Sequence, residues 1–295
     1  MIRPRWLAAA GLVLALGAAF GADLGGMRAR AADALGLSHQ LDFALTGQLT
    51  QGGYALGQAP RGVRALSFGG KPVPLAADGR FLIAFDRDAA PQAQLLAELT
   101  GGDRVAVPIA IGKRAWQLEY IPLGPRPGTP PSEEYARLRA GELARINAAR
   151  SVDHAVDGWR QKFIWPVHGR ISGRFGSQRI YNGTPGSYHS GMDVATGTSG
   201  TPFVAPADGV VILAADSPFS LEGRLLMIDH GMGLNSAFLH CSKLAVKVGD
   251  VVRQGQYIGN IGMTGRATGP HLHWSVKWRD SRLDPSLLTG PMPAG

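Results

Sequence analysis

Apolar and polar positions alternate most regularly near the C-terminus, where residues 270–278 read PHLHWSVKW. Side chains two apart on a strand share a face. His271, His273, Ser275 and Lys277 are therefore expected to project one way, with Leu272, Trp274, Val276 and Trp278 turned into a core. Over residues 41–121 the apolar stretches are short and broken by turn signals at Gly52-Gly53, Pro60-Arg61-Gly62, Gly69-Gly70, Asp78-Gly79 and Gly101-Gly102. Phe81-Leu82-Ile83-Ala84-Phe85 and Val105-Ala106-Val107-Pro108-Ile109 read as strands between them. Their size and spacing predict a small β-sandwich-like accessory domain. It holds no cluster of His, Cys or paired carboxylates, so no chemistry is assigned to it.

Residues 122–131 (PLGPRPGTPP) form a stiff, proline-rich linker. Ser132 follows as the N-cap of a helix from Glu133 to Arg150, with Glu133 and Glu134 opposing the helix dipole. Tyr135, Leu138, Leu143 and Ile146 make a loose apolar stripe, and Gly141 weakens the helix by about 1 kcal/mol relative to Ala. Linker and helix together occupy residues 122–163, and short strands with glycine turns return over residues 164–288. The expected fold is mainly β, with an N-terminal sandwich-like domain, a helical linker and a C-terminal antiparallel β-sheet domain.

At the other end, Arg3 and Arg5 precede an uncharged apolar run over residues 6–22, which Asp23 ends. Residues 1–31 thus have the layout of a signal peptide, with small-x-small cleavage sites at Ala19-Phe20-Gly21 and Ala29-Arg30-Ala31. A retained N-terminal membrane anchor is the alternative, because the run approaches the ~17-residue lower limit for a spanning helix. Either way the expected location is outside the cytoplasm, in the periplasm or cell envelope. With 45% hydrophobic and 18% charged residues, disorder as the general state is excluded. A single cysteine excludes an internal disulfide and any zinc site needing several thiolates. The net charge of +8 suits an acidic partner, while no nucleic-acid-binding signature is present. Nothing in the sequence sets the oligomeric state.

Six of the eight histidines fall at positions 168, 189, 230, 240, 271 and 273. His189-Ser190-Gly191-Met192-Asp193 places an imidazole and a carboxylate four residues apart, and Gly191 between them favours a bend or strand entry over a helical turn. Two imidazoles on the polar face of the 270–278 strand have no packing role there. Two histidines and one carboxylate with an open fourth position are the ligand set of a catalytic zinc. No helical HExxH is present, so the scaffold would be β.

Arg174-Phe175-Gly176, Tyr188-His189-Ser190-Gly191-Met192-Asp193, Phe238-Leu239-His240 and the stretch GRATGPHLH at 265–273 occur in this order. Together they resemble the M23 (LytM/lysostaphin-type) zinc metallopeptidases, β-sheet endopeptidases that cut peptides of bacterial peptidoglycan. The resemblance covers about residues 164–288, and less specifically the β-rich region and linker upstream. It implies that His189, Asp193 and His273 bind Zn2+ and that His271 and His240 flank the water and the scissile carbonyl. It leaves open which of the two is the base, and whether D,D-cross-links or glycine bridges are cut.

Cys241 follows His240 and is expected to be a buried, inert thiol on the opposite face. His230, His168 and His39 are expected to be structural; His154 could reach the metal, with a solvated side chain as the default. Residues 179–187 (RIYNGTPGS) are equally a substrate-groove wall, with Tyr181 and Asn182 as donors, or an ordinary surface hairpin. The linker and helix leading into this domain raise autoinhibition as a hypothesis. A non-hydrolytic regulator of other wall enzymes is the alternative function, but every expected ligand is present. Residues 207–211 and 248–256 resemble strands of biotinyl or lipoyl carrier domains, yet Lys243 and Lys247 lack the required setting. The glycines of 259–265 fit neither G-x-G-x-x-G nor a P-loop.

Overall fold

The computed structural model describes residue 41, residues 43–122 and residues 132–293. The expected signal or anchor segment, His39 and nearly all of the proline-rich linker lie outside the described residues. Among the described residues, no helix is long and apolar enough to cross a membrane.

The N-terminal β region is two antiparallel sheets. One orders Ala44–Gln48, Tyr54–Gln58 and Arg80–Ala84; the other orders Lys71–Val73, Val63–Phe68, Gln92–Leu99 and Arg104–Ala110. Pro108 is tolerated because its strand is an edge, where a missing N–H breaks no ladder. Phe81, Leu82, Ile83 and Phe85 are almost completely buried, and the Phe43–Phe81 and Phe68–Phe85 rings meet edge to face at 5.8 and 5.9 Å. The sandwich-like arrangement expected from the turn spacing is thus present. Leu118–Ile121 does something else, pairing in parallel with Gln178–Tyr181 and extending a hairpin of the C-terminal region. Buried Arg87 reinforces this junction by donating to the Gly176 carbonyl and to Gln178 Oε1. Arg114 adds an ion pair to Asp284 at 2.7 Å.

The Glu133–Arg150 helix begins as expected, with Ser132 Oγ accepting from the Tyr135 N–H at 3.1 Å. Its buried face is not the expected stripe, however. Leu138 and Leu143 are exposed, and the buried positions are Glu142, Ile146 and Ala149. Polar anchors set this rotation: Glu142 accepts from Ser220, and Arg139 binds both Glu142 and Glu222. Ile146 and Ala149 then pack on Ile212, Leu225, Met227 and Ala237.

Those residues belong to an eight-stranded sheet whose main path is Val251–Val252, Gly209–Ala214, Arg224–Asp229, Leu234–Cys241, Leu272–Trp278, Met192–Ala195 and Arg170–Gly173, with Ser281–Leu283 beside Leu272–Trp278. Every pairing in it is antiparallel. A three-stranded sheet of Pro202–Val204, Tyr257–Asn260 and Lys243–Leu244 lies apart from it. Leu272–Trp278 alternates as predicted, with Leu272, Trp274 and Val276 fully buried. One face of the large sheet is closed by ring contacts of Phe203 with Phe238, Phe163 with His230 and Trp165 with Trp274. The other carries the helix.

Candidate metal centre

Asp193 stands between two strands, opposite His273 on one side and Gly173 on the other. Cross-strand partners share a face, so this register alone sets the carboxylate beside the His273 ring. His189 reaches the same point from the bend before Met192–Ala195. Its Nε2 lies 3.1 Å from Asp193 Oδ1 and 3.1 Å from His273 Nδ1, and His273 Nδ1 lies 2.8 Å from Asp193 Oδ1. Tetrahedral zinc at ligand distances of about 2.0–2.1 Å separates its ligand atoms by about 3.3 Å. The three donor atoms therefore already have the spacing of one face of such a site, and His189, Asp193 and His273 could hold a metal ion together.

The hydrogen bonds agree with that use. The His189 Nδ1–H donates to the Arg174 carbonyl at 3.1 Å, which directs Nε2 at the cluster, where it carries a proton toward Asp193 or, with that proton lost, a lone pair for a metal. Burial works against the Asp193 carboxylate, but hydrogen bonds from His189 and His273 hold it far below the usual carboxylate range. Burial pulls His189 down, yet its hydrogen bond to Asp193 and that residue's charge carry it above the ordinary histidine value. At His273 burial prevails and lowers it, despite Asp193. Two glycines leave room for these side chains. A Cβ on Gly173 would stand 2.3 Å from Asp193 Oδ2, and one on Gly191 would stand 2.5 Å from the Trp274 carbonyl and 2.7 Å from His273 Nε2.

His271 and His240 lie beside the three ligand candidates. His271 Nδ1–H donates to the Gly269 carbonyl at 2.8 Å, and its Nε2 is 3.8 Å from Asp193 Oδ1. His240 arrives by a less regular route. Leu239 is the cross-strand partner of His273, so strict alternation would send His240 to the core-packed face. The ladder slips between Arg224 and Leu226, and His240 adopts a left-handed backbone with φ 65°. Such a bulge re-aims a side chain at some backbone cost. The His240 ring then lies 4.9 Å from His271 and 6.3 Å from His273. Its Nδ1–H donates to the Thr264 carbonyl at 2.9 Å, and burial followed by that environment of imidazoles lowers its basicity.

The other histidines separate from the cluster. His230 is fully buried against Phe163. His168 is exposed. His154 is not simply solvated, because its Nδ1 and backbone N–H both meet Asp229 Oδ2, at 2.9 and 2.7 Å. Cys241 is fully buried, as expected, and burial pushes its thiol up to about 12.

Residues 179–187 form a hairpin, part of which lines a groove. Gln178–Tyr181 pairs with Thr184–Tyr188 through an Asn182-Gly183 turn, both residues at positive φ. Tyr181 and Tyr188 line a groove of about 760 Å³ that ends at His189, and Gln117 and Glu119 from the N-terminal region join its wall. A second depression of about 490 Å³ lies past His271, between Ser172 and Thr268-Gly269-Pro270. Ser172 borders both, so the two spaces flank the cluster. Gly173 is the contributor that residue patterns did not single out. Its adjacency to Arg174-Phe175-Gly176 is the signal that could have found it.

An antiparallel sheet thus bears a His/Asp/His cluster able to hold a metal ion, with two further imidazoles alongside. Residues 187–285 match Peptidase family M23, so this C-terminal region is an M23 peptidase domain. Over 124 residues it is 41% identical to peptidoglycan DD-endopeptidase ShyA of Vibrio cholerae, covering 42% of this chain and 28% of that protein. Over 127 residues it is 35% identical to DD-carboxypeptidase/endopeptidase Mpg of Neisseria meningitidis, covering 43% of this chain and 29% of that one. The chain thus spans less than a third of the length of these curated relatives. A solved Pseudomonas aeruginosa structure assigned to peptidase M23 is 28% identical, with a TM-score of 0.64 over 82% of this chain and 96% of its own. That coverage extends well upstream of residue 187.

Proposed function

We propose that this chain is a zinc-dependent endopeptidase that hydrolyses peptide bonds in peptidoglycan after export to the cell envelope. The carrying observation is the convergence of His189 Nε2, Asp193 Oδ1 and His273 Nδ1 at zinc-ligand spacing, at the junction of two grooves. The peptidoglycan activities named for ShyA and Mpg support the substrate class. The net charge of +8 favours approach to an anionic wall.

Zinc held by these three residues supplies Lewis acidity, acidifying water and polarising an amide carbonyl. The chain's own residues supply proton handling and orientation. His240 and His271 each have Nδ1–H committed to a backbone carbonyl, which fixes the tautomer that presents a basic Nε2. One of them takes the proton of the attacking water and returns it to the leaving amine. The other, protonated, hydrogen-bonds the developing oxyanion. Burial lowers the basicity of His240, which disfavours its charged form. The hairpin at 178–188 and the strand at 170–173 hold the peptide extended on the His189 side.

The test is hydrolysis of purified peptidoglycan by the full chain, wild type beside His271→Ala, with bound zinc quantified and released fragments identified by mass spectrometry. Zinc-dependent cleavage lost in the variant is expected. Stoichiometric zinc with no cleavage would overturn the hydrolase reading in favour of a regulatory wall-binding domain.

A further inference from the structure

A third pocket, of about 220 Å³, opens on the helix-bearing face of the sheet, with His273 and Ser190 among its lining residues. Arg150 from the end of the helix, Lys277 and Arg282 also line it. Lys277 and Arg282 are direct cross-strand partners, a placement in which like charges repel. Among the described residues, none of these three cations has a carboxylate within ion-pair distance. Arg139, at the same pocket, shows the contrast, since Glu222 and Glu142 hold it at 2.6 and 2.9 Å. Arg150 Nε is buried without a hydrogen-bond partner. Burial, and then the charge of neighbouring cations, depresses both Arg150 and Lys277. Arg150 and Lys277 are partly buried, whereas Arg282 is exposed and donates to the Tyr188 hydroxyl at 3.4 Å. Partly buried cations without a carboxylate partner are costly to keep, and they attract an anion.

The shared residue decides which anion. His273 belongs both to the metal cluster and to this pocket, so the occupant lies next to the bond being cut. The volume suits a carboxylate on a short stem and not a bulky sugar or polymer segment. We infer that Arg150, Lys277 and Arg282 form a carboxylate subsite, selecting peptides that carry a free carboxylate on the residue adjoining the scissile bond. Acidic stem peptides have such a group, whereas a glycine bridge has no side-chain carboxylate. The inference rests on the endopeptidase reading above and deepens it.

The test uses the zinc-loaded full chain and two synthetic cross-linked peptides that differ only in carboxylate against carboxamide at that residue. Wild type should favour the acid by on the order of tenfold in kcat/KM, carried by KM, and the acid's binding should weaken with salt. In Lys277→Gln and in Arg150→Met the acid-to-amide ratio should fall toward one. Arg150→Met should also raise Tm, because it removes an unpaired buried charge while keeping volume; Lys277→Gln covers the case in which that variant does not fold. Calorimetric binding of both peptides separates the two readings. Equal binding and cleavage of acid and amide by wild type would remove the subsite and leave the endopeptidase standing. Acid-selective binding with neither peptide cleaved would keep the subsite and count against the endopeptidase.

Discussion

On one face of the eight-stranded sheet, each nitrogen of His230 has a protein partner. Nδ1–H donates to the Asp208 carbonyl at 2.8 Å, Nε2 accepts from Ser236 Oγ at 2.8 Å, and Trp274 Nε1 donates to the same hydroxyl at 3.2 Å. On the other face, one residue along the strand from Trp274, His273 turns Nδ1 toward a carboxylate oxygen and a second imidazole nitrogen. Both histidines are buried, at 0% and 9% exposure, so burial does not distinguish them. The difference is in the lone pairs. The closed face satisfies them with protein groups, while the open face gathers three acceptor atoms at spacings that only a proton or a metal cation can reconcile.

Alanine substitutions on the open face should have the largest effects. His189→Ala and Asp193→Ala are expected to lose bound zinc and to reduce hydrolysis by on the order of a thousandfold or more, equivalent to several kcal/mol of transition-state stabilisation. His271→Ala should keep zinc near stoichiometry and lose on the order of 10²–10⁴ in rate. Zinc content and peptidoglycan turnover measured on the same preparations distinguish ligand from proton carrier. Full activity in His271→Ala would break the division of roles.

The closed face should instead report as stability that depends on pH. Burial pulls His230 down to about 4, against 6.5 for an ordinary histidine. The unfolded chain therefore takes up a proton that the folded chain refuses. This contribution is complete above about pH 6.5 and is lost as pH falls toward 4, amounting to about 3 kcal/mol. In metal-free protein, His189 runs the other way: its raised value makes its contribution fullest at low pH and lost as pH rises. Urea melts with chelator between pH 7.5 and 4 should show the His230 slope in wild type and a flatter one in His230→Gln. An unchanged slope would mean that the Asp208–His230–Ser236 chain is not the seat of the acid sensitivity.

Much of this contrast is legible in the sequence, because it follows from alternation. The PHLHWSVKW run by itself assigns His273 and Trp274 to opposite faces, and the His189–Asp193 spacing brings a second strand to the same point. The N-cap at Ser132 and the two-sheet N-terminal region are equally local in origin. What escapes such a reading is non-local. The bulge that turns His240 toward His271 depends on a one-residue slip against Arg224–Asp229, which periodicity on its own strand does not reveal. The helix hides Glu142 and exposes Leu138 because Ser220 and Glu222 meet it, 78 and 83 residues away in sequence from their partners Glu142 and Arg139. Parallel pairing of Leu118–Ile121 with Gln178–Tyr181 has no local signal either.

Crowding of the open face gives a smaller, sharper test. Gly173 is not at positive φ and is required for space, because an added Cβ would stand 2.3 Å from Asp193 Oδ2. Gly173→Ala should displace the carboxylate and weaken zinc binding by about 10–100-fold, the range for disturbing groups that orient metal ligands. Competition with a chromogenic chelator would read this directly. Gly141→Ala on the helix is the control, since no heavy atom lies within 4 Å of its added Cβ. It should gain up to about 1 kcal/mol of stability and leave zinc affinity unchanged.

The smallest expected effect falls at Cys241, the residue after His240 and the tightest check on how closed the closed face is. Its Sγ is buried beneath the Phe238 carbonyl, and burial holds the thiol at about 12. A thiol in that state offers almost no thiolate at pH 8. Native protein should therefore resist a disulfide reagent, while denatured protein releases one equivalent per chain. Cys241→Ala should cost about 1 kcal/mol and leave hydrolysis unchanged, because the side chain packs and takes no part in the cluster. Rapid labelling of native protein would mean that the His240 strand opens locally without global unfolding. The bulge that presents His240 would then be a mobile element, and the fixed geometry assigned to that imidazole would fail with it.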